Sequence, residues 1–362
     1  MKLKVAENIL SLKPYKPGKP IEELEREYGI SGSVKLASNE NPLGPSPKAV
    51  AAIESALKNL HRYPDGAGYH LVQKLAGKLD VPANQIVIGN GSDDVIGMLT
   101  RVYLSPGDEA LMTDPSFLMY EIYVKTINAK PVFVPLKNRS LDLAAIADAV
   151  TDRTRMIFIT NPNNPTGSFI RTMEFEAFFK RLPPDVVVVL DEAYIEFARD
   201  PECLNGLTQL AEDRPLAVLR TFSKAYGLAG IRIGYGIMPA DMAAMCNRVR
   251  EPFNTNSLAQ AGAAAALDDE EFLNKTIALV HTELAFLQAG LRSRGVDFFP
   301  TQSNFFLIDV KQNADDVFEA MLKQGVIVRS MVSYGYQQYI RVNVGTRDEN
   351  QRFLDALAAV LN

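Results

Sequence analysis

The sequence predicts an α/β protein, with a large, mostly parallel sheet domain flanked by helices and a smaller α+β domain after it. Two observations carry this expectation. From about residue 35 to about residue 265, short β-rich runs alternate with helical patterns, as in repeated strand–helix–strand units. Beyond that, Leu273, Ile277, Val280, Leu284 and Leu287 recur at helical spacing between Asp268 and about Arg294. Strand-like segments from Ser303 to Asp309 and from Tyr339 to Val344 then enclose a helix from Ala314 to Gln324. Ahead of both, Pro14, Pro17, Gly18 and Pro20 precede a short helical piece, so the first residues read as an arm that wraps before joining the small domain. The expected division is 1–34, 35–265 and 266–362.

Taken in chain order, the first informative element is Ile86-Val87-Ile88, which enters the turn Gly89-Asn90-Gly91 before a helical pattern opening at Ser92-Asp93-Asp94. The first N–H groups of a helix have no intrahelical partner, so Gly91, Ser92 and Asp93 frame a site suited to a phosphate. The turn begins like a dinucleotide fingerprint but carries Asp94 where the third glycine belongs. The next strand runs into Asp114-Pro115-Ser116-Phe117, and the Phe117 ring suits either stacking on a planar ligand or core packing. Met156 to Thr160 is a short apolar strand leading into Asn161-Pro162-Asn163-Asn164-Pro165-Thr166-Gly167, a turn stiffened by two prolines and a glycine that aims the Asn164 amide. Val186 to Leu190 reads as a buried parallel strand, and it delivers Asp191-Glu192-Ala193-Tyr194 at its carboxyl end, where open α/β sheets bind ligands. A helix cap is the plainer role for Asp191. The run from Leu216 to Leu219 leads to Ser223, Lys224 and Arg232 on a glycine-rich turn.

These pieces fit one chemistry. A lysine with close backbone approach around it is placed to form a Schiff base with an aldehyde cofactor, and Ser223 with Arg232 to hold that cofactor's phosphate. Pyridoxal phosphate also needs a carboxylate beside its ring nitrogen, a role suited to Asp191, and donors to its ring oxygen, a role suited to Asn164 and Tyr194.

The motifs in this order resemble the fold-type I pyridoxal-phosphate aminotransferases of class II, and the chain is similar to the histidinol-phosphate aminotransferase family. The resemblance covers nearly the whole chain. It includes Ser38-Asn39-Glu40-Asn41-Pro42 with Gly44-Pro45-Ser46, Arg62-Tyr63-Pro64-Asp65, Val328-Arg329, and Ile340-Arg341-Val342-Asn343-Val344-Gly345-Thr346. It implies transamination between histidinol phosphate and 2-oxoglutarate or glutamate in histidine biosynthesis, with Lys224 and Asp191 at the centre. It further implies that Arg341 and Arg329 grip the substrate's anionic group and that Tyr15 contacts substrate. Tyr63 is implied to reach the cofactor phosphate of the neighbouring subunit in a homodimer with shared sites. Solvated arginines and packing tyrosines are the plain alternatives. An aromatic amino acid aminotransferase and a phosphothreonine decarboxylase share the frame, whereas a non-catalytic cofactor carrier leaves Arg329 and Arg341 without a task.

Composition narrows the field. The chain has 362 residues, 47% hydrophobic and 22% charged, with a formal net charge of -5, which offers no basic surface for nucleic acid or anionic membranes. Two cysteines, Cys203 and Cys246, lie far apart in sequence, so neither a disulfide framework nor a thiolate metal site is expected. His61, His70 and His281 show no ligand spacing, so no metal is expected. No apolar run is long enough to span a bilayer, the amino terminus lacks a secretion signal's continuous apolar core, and a cytoplasmic location is expected.

Overall fold

The apolar runs become strands that are buried on both faces. The computed structural model describes residues 4–12, 14 and 18–361. Its seven-stranded sheet has the spatial order Ile86–Gly89, Gly234–Ile237, Leu216–Thr221, Val187–Asp191, Thr154–Thr160, Glu109–Asp114 and Lys130–Pro135. Gly234–Ile237 is antiparallel to both its neighbours, and the other pairs are parallel. Side chains alternate between two cores: Ile157, Ile159, Val188 and Leu190 enter one, and Met156, Phe158, Val187 and Val189 the other. Lys130–Pro135 is an edge strand, which is why Pro131 and Pro135 are tolerated in it.

The helix Glu270–Ser293 leads into the small lobe and places Val280, Leu284, Leu287 and Leu291 in its core, while Leu273 near its start touches both the small and the large core. There, Arg329–Ser330, Tyr339–Asn343, Phe305–Asp309 and Asp297–Phe298 form an antiparallel sheet in that order, covered by Ala314–Lys323 and Arg347–Leu361. The arm helix Ile21–Tyr28 buries Leu24 against Ala37, Leu322 and Ile327 of this lobe. Val34–Lys35 pairs in parallel with Val326–Ile327, and Leu36 enters the small core. The chain therefore stays with the small lobe past residue 35 and reaches the large core at the helix Pro47–Ala56, through Ala49. The carboxyl ends of the central parallel strands all face the cleft between the lobes, the usual ligand position in such sheets.

Candidate active site

Lys224 stands just beyond the strand Leu216–Thr221, on a loop tied back by Leu228 N–H to the Phe222 carbonyl and by Phe222 N–H to the Ile233 carbonyl. Gly227 has φ +70°, and a Cβ there would strike the backbone of Gly44, so this turn requires glycine. The Lys224 Nζ donates to the Ser38 carbonyl at 3.0 Å. Burial, reinforced by the positive charge of Arg341, lowers its pKa from the ordinary 10.5 to about 8. The neutral amine is correspondingly more abundant than on a surface lysine.

Asp191 ends the neighbouring strand and is 5% exposed. Its Oδ2 accepts from the Tyr120 hydroxyl at 2.7 Å and its Oδ1 from the Ala193 N–H at 3.1 Å. Burial raises its pKa to about 6 against the opposing pull of these donors. It remains an ionised acceptor at neutral pH.

At the opposite end of the cleft the donors suit an anion. Gly91 caps the helix Ser92–Tyr103 with φ +85°, and Ser92 and Asp93, whose N–H groups belong to the helix's first turn, line the cleft. A Cβ on Gly91 would collide with the Arg232 guanidinium. Arg232 Nη1 lies 3.4 Å from the Ser223 hydroxyl, which in turn accepts from the Thr221 hydroxyl at 3.0 Å. Asp94, the residue in the third-glycine position, accepts from Asn90 N–H at 3.0 Å and from Asn254 Nδ2 at 2.6 Å. Its side chain ties the turn down where a dinucleotide site needs none.

Between the two ends, Asn164 joins the lobes. Arg341 Nη1 donates to Asn164 Oδ1 at 2.7 Å, which turns the amide nitrogen toward the Tyr194 hydroxyl, 3.4 Å away. That hydroxyl also accepts from Asn39 Nδ2 at 3.0 Å. With two amides donating to it, its own hydrogen is left for the cleft. Burial pushes its pKa up to about 12, so the proton is retained at neutral pH. Arg329 pairs directly opposite Arg341 across antiparallel strands, so the two guanidinium groups rise from the same sheet face.

Of the residues singled out from the sequence, Ser92, Asp93, Phe117, Asn164, Asp191, Tyr194, Ser223, Lys224 and Arg232 line one cleft. Tyr63 does not. It is 83% exposed, stacked at 4.7 Å on Phe253, and held out on a loop that Arg250 and Gln260 bind through the Gly66 and Asp65 carbonyls. Tyr15 lies outside the described residues. Thr160, Thr221 and Glu40 also line the cleft, and Tyr120 and Asn39 support it from behind. No sequence reasoning found these roles, although Asn39 belongs to the noted Ser-Asn-Glu-Asn-Pro run and its positive φ of +56° is a common asparagine trait.

The aminotransferase class I and II family model matches residues 31–357. A histidinol-phosphate aminotransferase of Nitrosococcus oceani is 47% identical over 356 residues, covering 98% of this chain and 96% of the relative. One of Moorella thermoacetica is 45% identical over 359 residues, covering 99% and 93%. The chain belongs to the histidinol-phosphate aminotransferase family, within the class I and II aminotransferases. Its fold agrees with that of a solved family member, the histidinol-phosphate aminotransferase of Sinorhizobium meliloti in complex with pyridoxal-5'-phosphate. The TM-score is 0.91 at 27% identity, covering 100% of this chain and 98% of that one. The cofactor of this aminotransferase is pyridoxal phosphate, and the cleft fits it. A guanidinium, hydroxyls and helix N–H groups gather at one end, a buried carboxylate lies at the other, and an amide, a phenol and a lysine amine lie between. Among the described residues no helix is long and apolar enough to cross a membrane.

Proposed function

We propose that the cleft transfers the amino group of histidinol phosphate to 2-oxoglutarate, with Lys224 as the proton-transferring base and Asp191 and Tyr194 as its partners on the cofactor. The observation that carries the substrate assignment is the pairing of Arg341 and Arg329 on one sheet face, with Arg341 close enough to depress the Lys224 pKa. Two guanidinium groups on one sheet face, one of them acting on the reactive amine, suit an anionic substrate group, and their planar forks bind phosphate or carboxylate with fixed geometry.

When bound, the cofactor supplies an electrophilic aldehyde and a ring that withdraws electrons from the substrate's α-carbon. The residues do the rest. Gly91, Ser92, Asp93, Ser223 and Arg232 would hold its phosphate through backbone N–H, hydroxyl and guanidinium groups. Asp191 would hold a proton on the ring nitrogen, Asn164 and Tyr194 would donate to the ring oxygen, and Phe117 would pack on the ring. Lys224 would accept the α-proton, because its lowered pKa leaves a usable fraction of free base at neutral pH.

The same proposal includes a homodimer in which Tyr63 completes the neighbour's phosphate site, and Tyr15 on the arm as a substrate contact. What supports the first is an aromatic ring held on an anchored loop yet left 83% exposed. We also assign the arm, cofactor and small domains to 1–34, 35–265 and 266–362, with the opening of the second segment resting on the small lobe through Leu36 until Pro47–Ala56 enters the large core, and place the protein in the cytoplasm. The two free cysteines fit a reducing compartment. The test of the substrate is kcat/KM with 2-oxoglutarate for histidinol phosphate, phenylalanine and tyrosine. A preference for either aromatic amino acid would replace the assignment with the aromatic aminotransferase reading.

A further inference from the structure

Behind Asp191, the helix Leu118–Thr126 contributes Tyr120, which is 1% exposed and has no access to substrate. Its hydroxyl lies 2.7 Å from Asp191 Oδ2 and 3.0 Å from Thr160 Oγ1. The carboxylate can only accept, so Tyr120 donates to Asp191 and Thr160 donates to Tyr120. The hydrogen bonds therefore run in one direction and polarise one another. The ring itself is locked, stacked on Phe158 at 4.5 Å and set edge-on to Phe117 at 5.4 Å. Phe117 lines the same cleft as Asp191.

We infer that Tyr120 is a positioning residue for the reaction: its hydroxyl, oriented by Thr160, holds the Asp191 carboxylate ionised and aimed at the cofactor's ring nitrogen, and its ring sets the plane of Phe117. The inference rests on the proposed role of Asp191. The other groups facing Asp191 are Asp93 at the start of Ser92–Tyr103, Glu192 on its own strand, Tyr194 after it, and Lys224 across the cleft. Among the described residues, the donors to the carboxylate are the Tyr120 hydroxyl and the Ala193 backbone. Loss of the Tyr120 donor raises the Asp191 pKa, so the acid limb of cofactor binding moves to higher pH.

The test is cofactor retention by the holoenzyme, dialysed at a series of pH values, for wild type, Tyr120→Phe, Asp191→Asn and the double variant, with melting temperatures measured alongside. In Tyr120→Phe the pH of half-retention is expected to rise by about one unit, which is roughly a tenfold loss of affinity on the acid side and little change on the alkaline side. On the Asp191→Asn background the same substitution is expected to leave retention unchanged. A lower melting temperature with an unmoved half-retention pH overturns the inference, because that is the signature of a merely structural tyrosine. Wild-type retention by Asp191→Asn overturns the role of Asp191, and the inference with it. An effect of Asp191→Asn without one of Tyr120→Phe overturns the inference alone.

Discussion

Replacing Asp191 by Asn keeps the shape of the side chain and removes its charge, and stability and activity are expected to move in opposite directions. The carboxylate is buried, and its pKa stands near 6 against an ordinary 3.8. The folded chain thus binds more protons than the unfolded chain between these values, so stability falls as pH rises through that window. A difference of about two units corresponds to about 3 kcal/mol of destabilisation above pH 6. Asn has one acceptor oxygen, so it loses either the Tyr120 or the Ala193 hydrogen bond, which costs about 1 kcal/mol. The apoprotein variant is therefore expected to be more stable than wild type by about 1–2 kcal/mol at neutral pH. Urea unfolding of both apoproteins across pH measures this, and the gain is expected to shrink as pH falls from 6 toward 3.8. In the same variant kcat is expected to fall by roughly 10²–10³-fold, since an uncharged amide does not hold the ring nitrogen protonated. A variant less stable than wild type at neutral pH, or a gain that does not vary with pH, would refute the reasoning that a desolvated charge is kept there for function.

Lys224 carries the opposite charge, and its folded pKa of about 8 lies below the ordinary 10.5. The unfolded chain holds the extra proton between these values, so apoprotein stability relative to Lys224→Met is expected to rise with pH over that range. Parallel pH profiles of the two proteins would remove the depressed amine. Arg329→Ala is expected to lower kcat/KM for histidinol phosphate by about 1.5–3 kcal/mol and for phenylalanine much less; equal losses point to a structural arginine. Mixing Lys224→Ala subunits with Tyr63→Ala subunits is expected to restore activity, because a mixed dimer holds one site with both residues intact. Mixed dimers that stay inactive place Tyr63 outside the neighbour's site.

The parts of this fold legible in the sequence are those that local pattern determines. Val187–Asp191 and Thr154–Thr160 are continuous apolar runs because both faces of each strand are buried, and their ends carry Asp191 and the Asn164 turn. Lys224 was legible for the same reason, one turn beyond Leu216–Thr221. What pattern does not carry is contact across distance. Arg341 and Asn164 are 177 residues apart in sequence and meet only because the lobes close on each other. Tyr120 sits in a helix whose periodicity marks it as core, and nothing local tells that its hydroxyl reaches Asp191, 71 residues away. Lys35 and Leu36 read as the beginning of the large domain, yet Lys35 pairs with Ile327 and the Leu36 N–H donates to the Ile327 carbonyl. That is a long-range choice made by the Leu36 side chain entering the small core.

The account stands most directly on one half-reaction, followed by the absorption of the bound cofactor. Adding histidinol phosphate alone to the holoenzyme is expected to convert the cofactor stoichiometrically from its aldehyde to its amine form, and 2-oxoglutarate is expected to restore it. Lys224→Ala is expected to show neither change. A spectrum left unchanged by histidinol phosphate, or converted more readily by tyrosine or phenylalanine, would contradict the central claim.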